Sequence, residues 1–189
     1  RALVEAGGEM EWVSGTFGSK VTMLYPTTIL KGEGAKMEYL GMSLASGEQI
    51  LDSGAKAICL ADNTSAIIRS KSVAKNGGVS MTKTLAKVGK GVKGVKAYID
   101  CKSLILDNES RAYAEPMVDV NSGGAEVTHE ASVGKLSEEI LYYLATRGIS
   151  EEKAKEILIR GFSEEITKAL PLEYVMEMNN LIKLEMQNM

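Results

Sequence analysis

Glycine is distributed very unevenly along this chain, and that distribution limits how the chain can fold. Of 19 glycines in 189 residues, 17 precede residue 137, and only Gly148 and Gly161 follow it. Because glycine favours tight turns and weakens helices, the first part must turn often, whereas the last part is free to form helices. The sequence therefore predicts two parts, residues 1–136 and 137–189, with a boundary near Leu136.

Residues 1–136 contain short runs of β-branched and aliphatic residues between clusters of Gly, Asn and Asp, which is the pattern of many short β-strands. No segment between them has the length and 3.6-residue apolar spacing of a crossover helix, so a doubly wound α/β sheet is disfavoured. A sandwich, a barrel and a solenoid remain. The predicted strands are Val21–Leu24, Met37–Leu44, Ala57–Leu60, Ser65–Ile68, Ala97–Ile99, Leu104–Leu106 and Val118–Val120.

A weak internal repeat favours the solenoid among these three. Gly34-Ala35-Lys36-Met37 returns 20 positions later as Gly54-Ala55-Lys56-Ala57, and Gly124-Ala125-Glu126-Val127 is similar to both. One coil of a β-helix takes about 20 residues, so the spacing predicts one coil per repeat. Three short matches leave the sandwich and the barrel open.

Residues 137–189 change to a helical period. Ser137 suits an N-cap, Gly148 suits the residue after a helix end, Ser150 suits a second N-cap, and Pro171 suits the first turn of a third helix. The second helix either breaks or continues through Ser163. The predicted apolar faces are Leu136, Ile140, Leu141 and Leu144, then Ala154, Ile157, Leu158 and Gly161, then Val175, Met178 and Ile182.

Charge and hydropathy disfavour several partners. The formal net charge of -3 and the pI near 5.4 provide no positive field for nucleic acid or an anionic membrane. No apolar run approaches the roughly 18 residues that cross a bilayer, so we expect a cytoplasmic protein with both cysteines reduced. Because the chain opens at Arg1 in a strand-like stretch, we expect it to be part of a longer one.

Motif matches do not indicate an enzyme. Residues 89–94 fit GxGxxG, but a strand-like segment follows instead of the helix that a dinucleotide site needs. His129-Glu130 begins like a zinc protease motif, yet His129 is the only histidine in the sequence. No GxSxG and no convincing pair of acids for glycoside hydrolysis is present.

A thiolate, an imidazole and a carboxylate remain as candidate iron ligands, at Cys101, His129 and Glu130. Each is more often structural when it is taken alone, because strand cysteines are usually buried and lone histidines are usually ordinary polar residues. Cys59 is expected in the core.

Two longer segments carry a family resemblance. Residues 125–136, read as AEVTHEASVGKL, and residues 138–150, which include EEILYYL and TRGIS, closely resemble the most recognisable part of the SufB and SufD proteins. The upstream run Asp100-Cys101-Lys102-Ser103-Leu104 and the pair Gly161-Phe162 fit as well. The chain is therefore similar to the C-terminal portion of this family of iron–sulfur cluster assembly proteins.

The resemblance implies a mainly β fold, a flattened right-handed β-helix over residues 1–136 followed by a small helical domain over residues 137–189. It implies a non-catalytic scaffold subunit that works with a SufC-type ABC ATPase and pairs with a second SufB/SufD-type chain, identical or different, through its last strands. The ATPase is expected at the turn formed by Arg147, Gly148, Ile149 and Ser150.

The resemblance also implies a transient iron–sulfur cluster, not retained by the isolated chain, with Cys101, His129 and Glu130 at the matching ligand positions. Thr128 stands where B-type subunits often have another acid. A D-type partner subunit that supports pairing and ATPase docking without binding the cluster is therefore the alternative.

Overall fold

The computed structural model describes residues 1–187 and consists of twelve β-strands followed by three α-helices. The strands form a parallel solenoid of about five turns. Their bounds are β1 Ala2–Val4, β2 Glu9–Phe17, β3 Val21–Leu24, β4 Thr27–Leu30, β5 Lys36–Ser46, β6 Ile50–Ser53, β7 Lys56–Cys59, β8 Ser65–Lys75, β9 Val79–Val88, β10 Lys93–Ile105, β11 Arg111–Val120 and β12 Gly124–Lys135; the helices are α1 Glu138–Thr146, α2 Glu151–Ala169 and α3 Leu172–Gln187.

Two parallel sheets form the walls of the solenoid. In the sheet named B here, the strand order is β12-β10-β8-β5-β2. The facing sheet, named A, has the order β1-β4-β7-β9-β6-β3, with β11 paired to β9. The predicted solenoid is confirmed, and the absence of crossover helices in residues 1–136 explains why the chain must coil instead of winding doubly.

One coil is longer than the spacing of the repeated tetrapeptide. In sheet B, Glu9 pairs with Lys36, Lys36 with Ser65 and Ser65 with Lys96, so each of these coils exceeds the distance from Gly34 to Gly54. The predicted coil length was wrong because Gly34 and Gly54 precede strands on opposite walls of the same coil. The repeated tetrapeptide therefore does not mark the period of the solenoid.

Gly54 lies at a bend of sheet A that has no room for a side chain. Its φ is +156°, and a Cβ at this position would lie 1.8 Å from the carbonyl oxygen of Lys83 on the next coil. The short strands β6 and β7 flank Gly54 and both pair with β9. Sheet A therefore bends where two backbones approach too closely for any side chain.

Inward side chains of both sheets fill the solenoid. Alternate residues of β5 and β10 point inward, and Met37, Tyr39, Val95, Ala97 and Ile99 are at most 5% exposed. These residues belong to one continuous apolar cluster that also contains Cys59, as expected. Ala97–Ile99 and Leu104–Leu106 were predicted as two strands, but the structure has one strand, β10, which contains the first segment and ends within the second at Ile105.

Local chemistry sets the helix ends as predicted. The Ser137 hydroxyl accepts from the Ile140 amide, and the Ser150 hydroxyl accepts from the Lys153 amide. Gly148 follows the C-cap of α1 with a φ of +77°. Helix α2 continues through Ser163 without a break. Within residues 1–187, no helix is both long and apolar enough to cross a membrane.

The helices cover the outer face of sheet B. Leu40, Met42 and Leu44 of β5 form an apolar cluster with residues of α2 and α3. The predicted face of α2 was partly wrong: Ile157 is 42% exposed, whereas Ala154, Ile159, Ser163 and Ile166 are buried. The sheet decides which side of a broadly apolar helix is covered, and the helical pattern alone does not contain that information.

Charged side chains also hold helices α2 and α3 against sheet B. The Arg69 guanidinium on β8 binds Glu38 on β5 and lies 3.1 Å from Glu165 of α2. The fully buried Lys75 ammonium donates to the backbone carbonyl of Glu185 in α3. Burial lowers the pKa of Lys75. Because the helices and the sheet share a core, the division into two domains at residue 136 stays a prediction.

Replacement of Leu44 tests this shared core. Leu44→Ala removes a fully buried side chain between sheet B and the helices. We expect a loss of about 3 kcal/mol in the free energy of unfolding, measured by chemical denaturation. Leu60→Ala is the control, because Leu60 is 49% exposed and its loss should cost less than about 1 kcal/mol. Equal effects of the two substitutions would contradict the shared core.

Candidate functional site

Cys101 lies inside the solenoid, on the next-to-last strand of sheet B. Its side chain is fully buried in the apolar cluster. The Thr84 hydroxyl of β9, on the opposite wall, lies 3.9 Å from its sulfur. Burial raises the pKa of the Cys101 thiol to about 11, and the contact with Thr84 opposes that shift. The thiol is therefore protonated near neutral pH.

His129 and Glu130 lie on β12, the edge strand next to β10, and both are exposed. In the ladder between these strands, Ile99 pairs with His129, Asp100 with Glu130 and Cys101 with Ala131. Directly paired residues of a parallel sheet face the same side, and successive residues face opposite sides. His129 therefore faces inward, as Cys101 does. Cys101 lies two residues after Ile99, which is the direct ladder partner of His129.

Glu130 faces outward. Of the three predicted ligands, the structure brings Cys101 and His129 to one face and puts Glu130 on the other. In the described part of the chain, no group of three or more His, Cys, Asp or Glu side chains is close enough to hold a metal ion. The ligand assignment of Cys101, His129 and Glu130 remains a prediction.

Asp100 is a neighbour of Glu130 that the sequence reasoning missed. It is only 6% exposed, and its Oδ2 lies 2.9 Å from the Lys102 ammonium. Its Oδ1 is buried without a hydrogen-bond partner. The hydrogen bond to Asp100 raises the pKa of Lys102. Strand alternation could have revealed this outward group, since Asp100 and Lys102 flank Cys101.

Hydroxyl groups also line part of the interior near Cys101. Ser72 donates to Ser103 at 2.8 Å, and Ser43 and Ser80 lie 3.2 Å apart across the two sheets. All four residues are buried. Pairing in this way satisfies polar groups that would otherwise be costly to bury. Only Ser43 lies on a predicted strand, and the face of a strand residue depends on the register, so no sequence signal pointed to this arrangement.

The last coil is an open rim. Ile99, Cys101 and Ser103 of β10 are at most 5% exposed, whereas their ladder partners His129, Ala131 and Val133 on β12 are all exposed. Among residues 1–187, β12 has no strand on its other side. Inward side chains and backbone groups of β12 are thus available for contact.

The turn between α1 and α2 lies apart from this rim in the sequence and is also exposed. The Arg147 guanidinium stacks 5.4 Å from the centre of the Tyr143 ring. Tyr142 and Tyr143 are 75% and 56% exposed. Of the predicted partner-binding residues Arg147, Gly148, Ile149 and Ser150, Arg147 contacts an exposed aromatic side chain, and the role of all four stays a prediction.

The fold and the rim define a class: parallel β-solenoids with a helical C-terminal segment and a buried cysteine one strand inside an open end. The model of the SufBD core domain, described as SUF system FeS cluster assembly, matches residues 1–162. The chain belongs to the SufBD family.

Curated relatives agree with this assignment. Iron–sulfur cluster assembly SufBD family proteins of Staphylococcus epidermidis, Staphylococcus haemolyticus and Staphylococcus aureus are each 49% identical over 187 residues. These alignments cover 99% of this chain and 40% of each relative. The chain thus spans less than half the length of the relatives it matches.

The raised pKa of Cys101 predicts a loss of stability at alkaline pH. The unfolded thiol, with an ordinary pKa near 9, ionises before the folded one at about 11, so stability falls as pH rises through this interval. The contribution is on the order of 2 kcal/mol. Denaturation from pH 8 to 11 should give a steeper decline for the wild type than for Cys101→Ala.

The difference between the two proteins is the measured quantity, because Tyr39 and Cys59 also have raised pKa values from burial. Identical declines in the wild type and in Cys101→Ala would show that the thiol is not buried as described.

Proposed function

We propose that this chain is a cytoplasmic, non-catalytic scaffold subunit of the SUF machinery, on which a nascent iron–sulfur cluster is built where two SufB/SufD-type chains meet. The observation that carries the proposal is the open rim at β12, with the Cys101 thiol buried one strand inside it. The cluster is cargo that is assembled and passed on, and is not a resident group.

The side chains near the rim suit temporary binding of iron and sulfide. A soft thiolate at Cys101 anchors iron, and the exposed imidazole of His129 on the same face is a weaker, exchangeable ligand. A scaffold needs such exchange because it must release its product. A second chain across the rim would supply the remaining ligands.

Glu130 lies on the outer face of the same edge strand, β12. Its outward neighbour Asp100 has one buried oxygen without a hydrogen bond, and Lys102 pairs with the other oxygen. The Glu130 carboxylate would bind iron weakly, and it is able to contact a cluster that lies at the junction, beyond the edge of β12. Glu130 therefore remains in the proposed ligand set together with Cys101 and His129.

Burial of Cys101 supports coupling to a motor protein. The buried thiol is protonated near neutral pH, and iron must displace this proton to bind. Access therefore requires the rim to open. We propose that a SufC-type ABC ATPase supplies this motion, docked at Arg147, Gly148, Ile149 and Ser150 and on the exposed tyrosines of α1.

A second candidate is a D-type subunit that pairs and docks without ligating the cluster. The opposite orientation of Cys101 and Glu130 favours it, because one chain then presents fewer ligands to one point. The two candidates predict different cluster loading when Cys101, His129 and Glu130 are replaced together and pairing with the second chain is kept. The scaffold would lose the cluster, whereas the D-type subunit would not.

Anaerobic reconstitution tests the scaffold directly. The intact complex with the ATPase and the second chain is loaded with ferrous iron and sulfide, and the bound cluster is measured by its absorption. Cys101→Ala should lose most of the cluster, because no other thiol of this chain faces the rim. Cys59→Ala is the matched control, since Cys59 is equally buried but lies on β7 of sheet A. It should keep the wild-type yield.

Full loading of Cys101→Ala in that complex would remove the thiol from the ligand set. Full loading of the triple variant Cys101→Ala, His129→Ala, Glu130→Ala, combined with loss of the complex when residues 137–189 are removed, would favour the D-type candidate.

Pairing through the rim has its own test. Val133 faces inward on β12 and is 49% exposed, so Val133→Lys should fold normally but charge the proposed junction. We expect the affinity for the second chain to fall at least about tenfold, measured by native mass spectrometry and light scattering. Val21→Lys, at a 58% exposed position on β3, is the control and should pair like the wild type. Unchanged pairing of Val133→Lys would move the junction elsewhere.

A further inference from the structure

The outer face of sheet B brings two carboxylates side by side at the rim. Asp100 of β10 and Glu130 of β12 are direct ladder partners, and both side chains face outward. Neighbouring strands of a sheet lie about 5 Å apart, so the two carboxylates are within reach of one shared cation. Like charges directly opposite each other destabilise a sheet, and a cation between them removes that cost. The pair therefore defines a place where a positive charge is needed.

The protein satisfies the Asp100 carboxylate only in part. The side chain is 6% exposed, and in the described part of the chain its Oδ1 has no hydrogen-bond partner. Burial of a carboxylate oxygen without a partner is costly. Arg69, the ladder partner of Asp100 on β8, binds Glu38 and Glu165 instead. A buried, unpartnered oxygen on the same face as Glu130 is a second and independent sign of a cation site.

The Lys102 ammonium supplies the positive charge in this structure. It lies 2.9 Å from Oδ2 of Asp100. The hydrogen bond to Asp100 raises the pKa of Lys102, and the charge of Glu130 acts in the same direction, so the ammonium is close to both carboxylates. The Lys102 side chain is 40% exposed and has a flexible stem. It is therefore able to turn into water when another cation takes its place.

We propose that Asp100 and Glu130 bind a divalent cation on the outer face of the rim, and that Lys102 occupies this site until the cation arrives. Carboxylate oxygens suit Mn²⁺, and Fe²⁺ binds a given site more tightly than Mn²⁺ does. The assignment of the ion as ferrous iron rests on the proposed function, because a SUF scaffold must receive iron.

Two carboxylates bind such an ion weakly. Within residues 1–187, no third His, Cys, Asp or Glu side chain is close enough to complete a ligand set. Water or the second chain therefore supplies the remaining ligands, as water does where one or two carboxylates bind Mg²⁺. Weak binding suits a site that receives an ion and passes it on.

The site keeps the cation apart from the thiol. Asp100 and Cys101 are successive residues of β10, so their side chains face opposite sides of the sheet. An ion bound to Asp100 and Glu130 lies outside the solenoid, beside the edge strand, while Cys101 stays sealed within it. Glu130 thus has a role before a cluster forms, and this role does not require it to face Cys101.

Manganese binding tests the site in the absence of iron, sulfide and nucleotide. Mn²⁺ is titrated into the intact complex with the ATPase and the second chain, and free Mn²⁺ is measured by electron paramagnetic resonance. Asp100→Asn and Glu130→Gln should each weaken the site at least about tenfold, because each removes one of two charged ligands. Lys102→Met should strengthen it about fivefold, because it removes the competing ammonium.

Glu126→Gln is the matched control. Glu126 is another exposed, outward carboxylate of β12, but its ladder partner is Lys96 and not an acid. Its replacement should leave Mn²⁺ binding unchanged. Equal losses in Glu126→Gln and Glu130→Gln would show general attraction of Mn²⁺ to an acidic surface and would overturn the inference.

Two further results would also overturn it. One is an unchanged Mn²⁺ affinity of Glu130→Gln, a variant at an exposed position that does not depend on how well Asp100→Asn folds. The other is weaker binding by Lys102→Met, which would make Lys102 a supporting group and not a competitor. Fe²⁺ added without oxygen should displace the Mn²⁺, and failure to do so would remove iron as the ion.

The cation site and the proposed scaffold fail separately. Cys101→Ala should bind Mn²⁺ like the wild type, because the thiol lies on the other face of the sheet. Normal Mn²⁺ binding with no cluster formation in the wild-type complex would remove the scaffold and keep the cation site. Normal cluster formation without the expected Mn²⁺ binding would remove the cation site alone.

Discussion

In a parallel solenoid, each strand satisfies its backbone and buries its inward side chains only through the coil before it and the coil after it. The rest of this structure depends on that constraint. Strands with two neighbours, such as β8 and β10, have sealed inward faces, whereas β2 and β12 have partly exposed ones. The helices meet a separate need, because they cover an outward apolar stripe that the coils themselves cannot bury.

Position relative to the rim sets the chemistry of the candidate site. Cys101 lies one strand inside, where burial keeps its thiol protonated, and His129 lies on the last strand, where water reaches it. A thiol sealed in this way is protected from stray oxidants and metals. In the proposed scaffold, access to this thiol requires movement of β12, so the rim would serve both as the entrance to the site and as the pairing surface.

Features set by nearby residues could be predicted from the sequence, and features set by register could not. The caps at Ser137 and Ser150 and the turn at Gly148 depend on a few adjacent residues, so they were predicted correctly. The coil length was missed because the same short sequence precedes strands on opposite walls of one coil. The split between Cys101 and Glu130 was missed because the face of a strand residue depends on its partner across the ladder. The family resemblance points to β10 and β12 but does not specify the pleat.

The two free edges, β2 and β12, have one further consequence. Because the described strands pair in parallel, a contact between the edge of β12 in one molecule and the edge of β2 in another would be head to tail and would leave one edge free at each end of the pair. Molecules with both edges bare could add to one another in this way repeatedly, as rings or as filaments. Occupation of a single edge terminates such growth, so whatever binds at either end also keeps the protein a discrete particle.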